Sequence, residues 1–310
     1  MRVLITGGAG FIGSNLADRL LARGDDVLVV DNYRTGLREA PAEAPGLEVV
    51  EGSIADGERV EGCFRRFAPD VVVHAAASYK DPNDWNEDVL TNVVGTANIV
   101  RASAEAGVAR LVYFQTALCY GLHPDETPIT LSHPLRPGGS SYAISKTAGE
   151  HYVTLSGLDA ISFRLANVYG PRHLSGPLPA FYRRIVAGEP AFVVDTRRDF
   201  VYLDDVLDVV LLACSGAGRP GIYHVSSGSD VSIRELFDAV GTALDLPDAP
   251  VEMRPRGPDD AATLLLDPSV TELEFGWAAG TPFQEGVAAT VAWYREHGVG
   301  ETYTHLRISD

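Results

Sequence analysis

The chain has 310 residues, with 42 acidic against 25 basic side chains and a formal net charge of −17. That balance excludes nucleic acid and anionic membrane as partners, because both select a basic surface, yet it permits an anionic small molecule held by a few Arg in a cleft. Three scattered cysteines without a CxxC, His residues without metal-ligand spacing, and no apolar run of about 18 residues exclude a disulfide frame, a metal site and a membrane span.

The opening "MRVLITGG" reads as a strand, which leaves no room for a signal peptide and points to a soluble cytoplasmic protein. Strand "RVLIT" leads into a helix over 12–24 closed by Gly24. Strands follow at 26–31 and 47–54, a helix at 55–67, a strand at 69–77, a helix at 92–107 and a strand at 110–117. A long helix over 141–157 then enters a strand over 159–170. Short continuous apolar strands separated by helices predict an α/β fold, a doubly wound parallel Rossmann sheet with ligands at the strands' carboxyl ends. Beyond residue 167 the rhythm breaks, with Pro and Gly frequent, which predicts a smaller C-terminal α/β substrate lobe. The expected division is 1–166, with a return near 195–224, against 167–194 and 225–310.

"TGGAGFIG" places Gly7, Gly10 and Gly13 between a strand and a helix, where backbone can approach a pyrophosphate at the helix N-terminus. Asp31 ends the second strand, where a carboxylate bonds ribose hydroxyls and repels a 2′-phosphate, so NAD is expected over NADP. Arg34 lies close enough to oppose that preference.

Only two of the 25 basic residues are Lys, and one lies in "YAISK", four residues after Tyr142. Spacing of i and i+4 puts Tyr142 and Lys146 on one helix face, downstream of a strand ending at Thr116. An ordinary Tyr, with a pKa near 10, is a poor base at neutral pH. A compact ammonium and a positive nicotinamide both favour the phenolate, and a flexible Lys bonds ribose hydroxyls where Arg's planar fork would not. Cys119, His74, Trp277 and the pair Asp204 and Asp205 read as packing or helix-end residues and not as chemistry.

With "TGGAGFIGSNL", "HAAA" at 74–77, "NVVGT" at 92–96, "TALCYG" at 116–121, "YAISK", "RLANVYGPR", "RRDFVYLDDV" and "FGW", the chain resembles extended short-chain dehydrogenases/reductases of the nucleotide-sugar epimerase group over its full length. The resemblance implies a catalytic triad of Thr116, Tyr142 and Lys146. It adds Phe11, Ile12, Asn32, Thr35, Ser53, Ile54, Ala75, Ala76 and Lys80 to the cofactor site. It implies Asn167, Phe192, Arg198 and Arg256 around a UDP-sugar, with Arg172 either reaching a C6 carboxylate or lying at the surface. It also implies a homodimer through a four-helix bundle of the helices near 92–106 and 141–156.

Related 4,6-dehydratases place an acid after the catalytic Thr or Ser, whereas Ala117 and Leu118 stand here, which favours 4-epimerisation. "AAASYKDP" and "QTALCYG" most resemble bacterial epimerases of UDP-uronic acids, so UDP-glucuronate is the expected substrate and antibiotic glycosylation, such as that of moenomycin, a fitting pathway. Gly176, where relatives often carry Asn, and the short "DTRRDF" loop depart from the pattern and leave nucleotide and sugar open. The alternatives are a dehydratase, a reductase, or a non-catalytic NAD-sensing binding protein.

Overall fold

A computed structural model describes residues 1–256, 261–300 and 302. In chain order the first half runs β1 (Arg2–Thr6), α1 (Phe11–Ala22), β2 (Asp26–Asp31), β3 (Leu47–Glu51), α2 (Gly57–Phe67), β4 (Val71–His74), α3 (Trp85–Asp88), α4 (Thr96–Ala106), β5 (Arg110–Thr116), α5 (Ser141–Leu155) and β6 (Ala160–Leu165). The second half runs β7 (Asn167–Tyr169), α6 (Pro177–Ala187), β8 (Ala191–Val194), β9 (Arg197–Arg198), β10 (Phe200–Tyr202), α7 (Leu203–Cys214), β11 (Gly221–Val225), β12 (Val231–Ser232), α8 (Ile233–Ala243), β13 (Val251–Arg254), α9 (Ser269–Phe275) and α10 (Phe283–His297).

Seven strands form one parallel sheet in the order β11-β6-β5-β4-β1-β2-β3. Their apolar runs are continuous because alternate residues serve two buried layers. Val3, Ile5, Val27, Val29, Val71 and Val73 pack with Leu16 and Leu20 of α1 and Val206 and Val210 of α7. Leu4, Leu28, Val30 and Val72 pack on the opposite face with Val60 and Phe64 of α2 and Ile99 of α4. Each such side chain contributes about 1.5–3 kcal/mol of burial, so both helical layers are needed to hold the sheet. The Rossmann reading is met.

Two details differ from the expected elements. The strand expected over 159–170 splits at Ala166, whose amide bonds Val225 in the large sheet while the next amide, of Asn167, bonds Asp199. β7 therefore leaves to pair with β10. The helix expected over 92–107 begins earlier: residues before it, with no element expected, form α3 and a wide helical turn over Val89–Gly95 that runs into α4. Asp84 starts this helix by accepting a bond from the Glu87 amide, a local cap. The remaining strands make two-stranded pairs, β12 with β9 and β13 with β8. They surround a separate apolar cluster of Tyr169, Phe181, Phe200, Phe237 and Tyr294.

Candidate active site

A cavity of about 1210 Å³ runs along the carboxyl ends of β1, β2, β4 and β5 and into the second cluster of elements. At one end it is built from backbone. Gly7 has φ +67°, and a Cβ there would lie 2.7 Å from the Ala76 backbone. A Cβ on Gly13 would lie 2.3 Å from the Gly7 carbonyl oxygen, so only glycine lets α1 start this close to β1. Gly10 precedes α1 without a side-chain cap, leaving its first amides for an anion. Asp31 is buried and accepts from the amides of Ala9 at 2.9 Å and Tyr33 at 2.7 Å; burial pushes its pKa up against those bonds. Phe11, Ile12, Asn32, Thr35, Ser53, Ile54, Ala75, Ala76 and Lys80 line the same end. Arg34, which the sequence set against the NAD preference, lies 3.4 Å from the Asp84 carboxylate and 3.6 Å from that of Glu87 and is already engaged. This cradle fits NAD.

Thr116, Tyr142 and Lys146 line the middle of the cavity. Ser140 caps α5 through the Ala143 amide at 3.1 Å. The Tyr113 hydroxyl and the Gln115 amide, both from β5, donate to the Lys146 carbonyl at 2.9 and 3.1 Å. Asn92 donates to Ser145 Oγ at 3.0 Å and to the Ser78 carbonyl, and accepts from the Ser78 amide. These bonds fix the helix in height and rotation over the sheet. One turn on, Glu150 pairs with Arg164 at 2.6 Å, both buried, and Arg164 donates to the Tyr120 hydroxyl, itself 2.6 Å from His224 Nε2. Breaking such a satisfied buried pair costs about 3–5 kcal/mol.

The protonation states differ from the expected pair of ammonium and easily formed phenolate. Burial, and then Asp88, push the Tyr142 phenol well above its usual range. Burial pulls Lys146 down to about 7 despite Glu150, and its Nζ sits 4.0 Å from the Tyr113 ring centre. The protein alone thus disfavours charge on both groups, because a dry site penalises each before they can help one another.

The far end is lined by Asn167, Phe192 and Arg198, together with Arg183, Arg184 and Arg254, which the sequence reading missed. The Asn167 amide donates to the Asp199 carbonyl at 3.1 Å. Arg254 lies over the Phe192 ring, 4.1 Å from its centre, because β13 runs beside β8 in parallel register. The alternation in "VEMR" was the available signal, masked by Arg256 two residues later. Arg256 is exposed and does not line the cavity, and neither does Arg172, which pairs with Asp18 at 2.7 Å. Among the other marked residues, His74 bonds Thr6 and Thr96, Cys119 is buried with its thiol pushed up to about 12, and Asp205 accepts from the amides of Gly280 and Thr281.

Residues 3–226 match the NAD dependent epimerase/dehydratase family. Over 96% of this chain and 99% of that one, the fold superposes on Bordetella bronchiseptica WbmH, solved with NAD+, with TM-score 0.93 and 53% identity. For WbmG of the same organism, solved with NAD and UDP, the values are 0.92 and 45% over 100% and 99% of the two chains. The UDP-glucose 4-epimerase of Mycolicibacterium smegmatis is 35% identical over 95% of this chain and 99% of its own. A dTDP-glucose 4,6-dehydratase of an Actinoplanes species is 33% identical over 95% and 98%. The chain is therefore an NAD-dependent member of the nucleotide-sugar epimerase/dehydratase family.

Proposed function

We propose that the chain is a 4-epimerase of a UDP-sugar and that its substrate is UDP-glucuronate, converted reversibly to UDP-galacturonate. The observation that carries the reaction is one cavity holding the glycine cradle, Thr116, Tyr142 and Lys146, with Ala117 and Leu118 following Thr116. With the positive nicotinamide beside it to favour the phenolate, Tyr142 takes the proton of the sugar 4-hydroxyl, and Thr116 Oγ bonds the same oxygen. Bound NAD supplies reversible hydride acceptance at C4. The resulting 4-keto sugar turns within the cavity so that the opposite face of C4 receives the returning hydride, and Tyr142 gives the proton back to the 4-oxygen. Dehydration needs an acid and a base at C5 and C6, and positions 117 and 118 offer neither.

Lys146 makes the ribose contact; Arg198 and Arg254 receive the nucleotide diphosphate, with Asn167 and Phe192 lining the same end. The uronate reading is supported by Ser78 and Tyr79, which line the cavity, with the Tyr79 ring 6.1 Å from that of Tyr142, and bring two hydroxyls to the region a sugar carboxylate would reach. A homodimer is supported by exposed Trp85, Val89, Leu90, Ile144, Tyr152 and Leu155, all on α3, the turn after it, and α5.

The test is a proton NMR time course with UDP-glucuronate and no added NAD. A new anomeric signal of UDP-galacturonate is expected. An untouched substrate with NAD supplied would reject the uronate and send the search to UDP-N-acetyl sugars; a 4-keto-6-deoxy product would reject epimerisation.

A further inference from the structure

Segment Pro171–His173 lies between the glycine turn and the second apolar cluster, and the reaction proposed above gives it no part. It meets one face of α1. Phe11, Ser14, Asn15 and Asp18 follow i, i+3, i+4 and i+7 spacing, which places them in one row along the helix. The His173 ring stacks on Phe11 with centres 4.6 Å apart. Asn15 Nδ2 donates to the Pro171 carbonyl at 3.2 Å and to the Phe11 carbonyl at 2.8 Å. Arg172 donates to the Ser14 hydroxyl at 3.2 Å and pairs with Asp18 at 2.7 Å. On its other side the segment is tied to α10, whose Tyr294 hydroxyl donates to the His173 carbonyl. The chain then continues through Ser175 and Gly176, which line the cavity, to the start of α6.

Arg172 makes these contacts from the left-handed region, at φ +70°, which a residue other than glycine rarely adopts. The surrounding bonds over-determine a conformation that the residue itself disfavours. Phe11 belongs to the first turn of α1, whose free amides face the pyrophosphate position. Whatever loosens the segment therefore loosens the NAD cradle.

We propose that Pro171–His173 is a clasp that retains NAD, with Arg172 and Asp18 as positioning residues that hold the first turn of α1 against the second half of the molecule. An enzyme that takes and returns the same electrons has no use for cofactor exchange, and the clasp slows exchange. The inference rests on NAD binding and not on the sugar, so it stands or falls apart from the uronate reading.

The experiment follows NAD retained by purified protein through repeated gel filtration, and NAD release after dilution into excess labelled NAD. Arg172→Ala and Asp18→Asn are each expected to release NAD at least tenfold faster. With NAD saturating, kcat is expected to change less than threefold. Arg172→Lys, which keeps the pairing with Asp18, is expected to restore much of the retention. Release at the parent rate in both Arg172→Ala and Asp18→Asn overturns the proposal. So does a lower melting temperature with unchanged release, since that is a packing role only. If Arg172→Ala fails to fold, Asp18→Asn, at a partly exposed helix position, decides alone.

Discussion

The two ends of the cavity are built from different materials. The dinucleotide end is made by backbone: Gly7 and Gly13 admit close approach, the first turn of α1 offers amides, and Asp31 is held by two more amides. The far end is made by side chains, with Arg183, Arg184, Arg198, Arg254 and Phe192 brought from four separate elements of the second half. A backbone site tolerates almost no substitution at its glycines, because the clash is with atoms that cannot move. A side-chain site can be retuned residue by residue.

That contrast sets the order of expected effects, and the row proposed as catalytic, Thr116, Tyr142 and Lys146, should be the most sensitive of all. Tyr142→Phe is expected to lower turnover on the order of 10²–10⁴-fold, read by the NMR time course, with NAD content unchanged. Gly7→Val is expected to abolish NAD retention, measured on extracted cofactor, while far-UV circular dichroism stays that of a folded α/β protein. Full NAD content in Gly7→Val would erase the contrast between the two ends.

Arg198→Ala and Arg254→Ala are each expected to raise KM for the nucleotide sugar about 10-fold, roughly 1.4 kcal/mol, with kcat little changed. Arg256→Ala is expected to leave KM within twofold, and a larger rise would move the diphosphate site toward it.

Asp199 sharpens the far end through stability and leaves turnover aside. It is buried and accepts from the Ser227 amide and hydroxyl, and burial raises its pKa to about 6. The folded state then binds more protons than the unfolded chain between about pH 4 and 6. Stability from this group falls as pH rises through that window and is flat above it. Urea midpoints at pH 4.5 and 7 should therefore differ between the parent and Asp199→Asn by the loss of that slope, and parallel pH dependence would reject the shift.

Legibility followed the same division. The glycine turn, Asp31 and the Tyr142–Lys146 pair could be read because local spacing determines them. Each lies within one strand-turn-helix unit or one helix. Arg254 was missed, because alternation in "VEMR" marks it only as a strand position and its place over Phe192 depends on β13 pairing with β8 across about 60 residues. Arg172 was marked for its position after "YGP", but its contacts with Ser14 and Asp18 span more than 150 residues and no local pattern announces them. The charge states of Tyr142 and Lys146 also escaped, since both depend on how dry the assembled cavity is.

The split at Ala166 bears on how such enzymes can be altered. The chain passes from the large sheet to the second half at Ala166, comes back between Tyr202 and Leu203, leaves after Val225, returns with Phe275 and Trp277, and leaves again at α10. No single cut separates a cofactor-binding module from a sugar-binding one. Transplanting a new specificity as a block would require five matched junctions inside packed cores, so a changed sugar preference is better sought by substitutions lining the cavity than by recombination of halves.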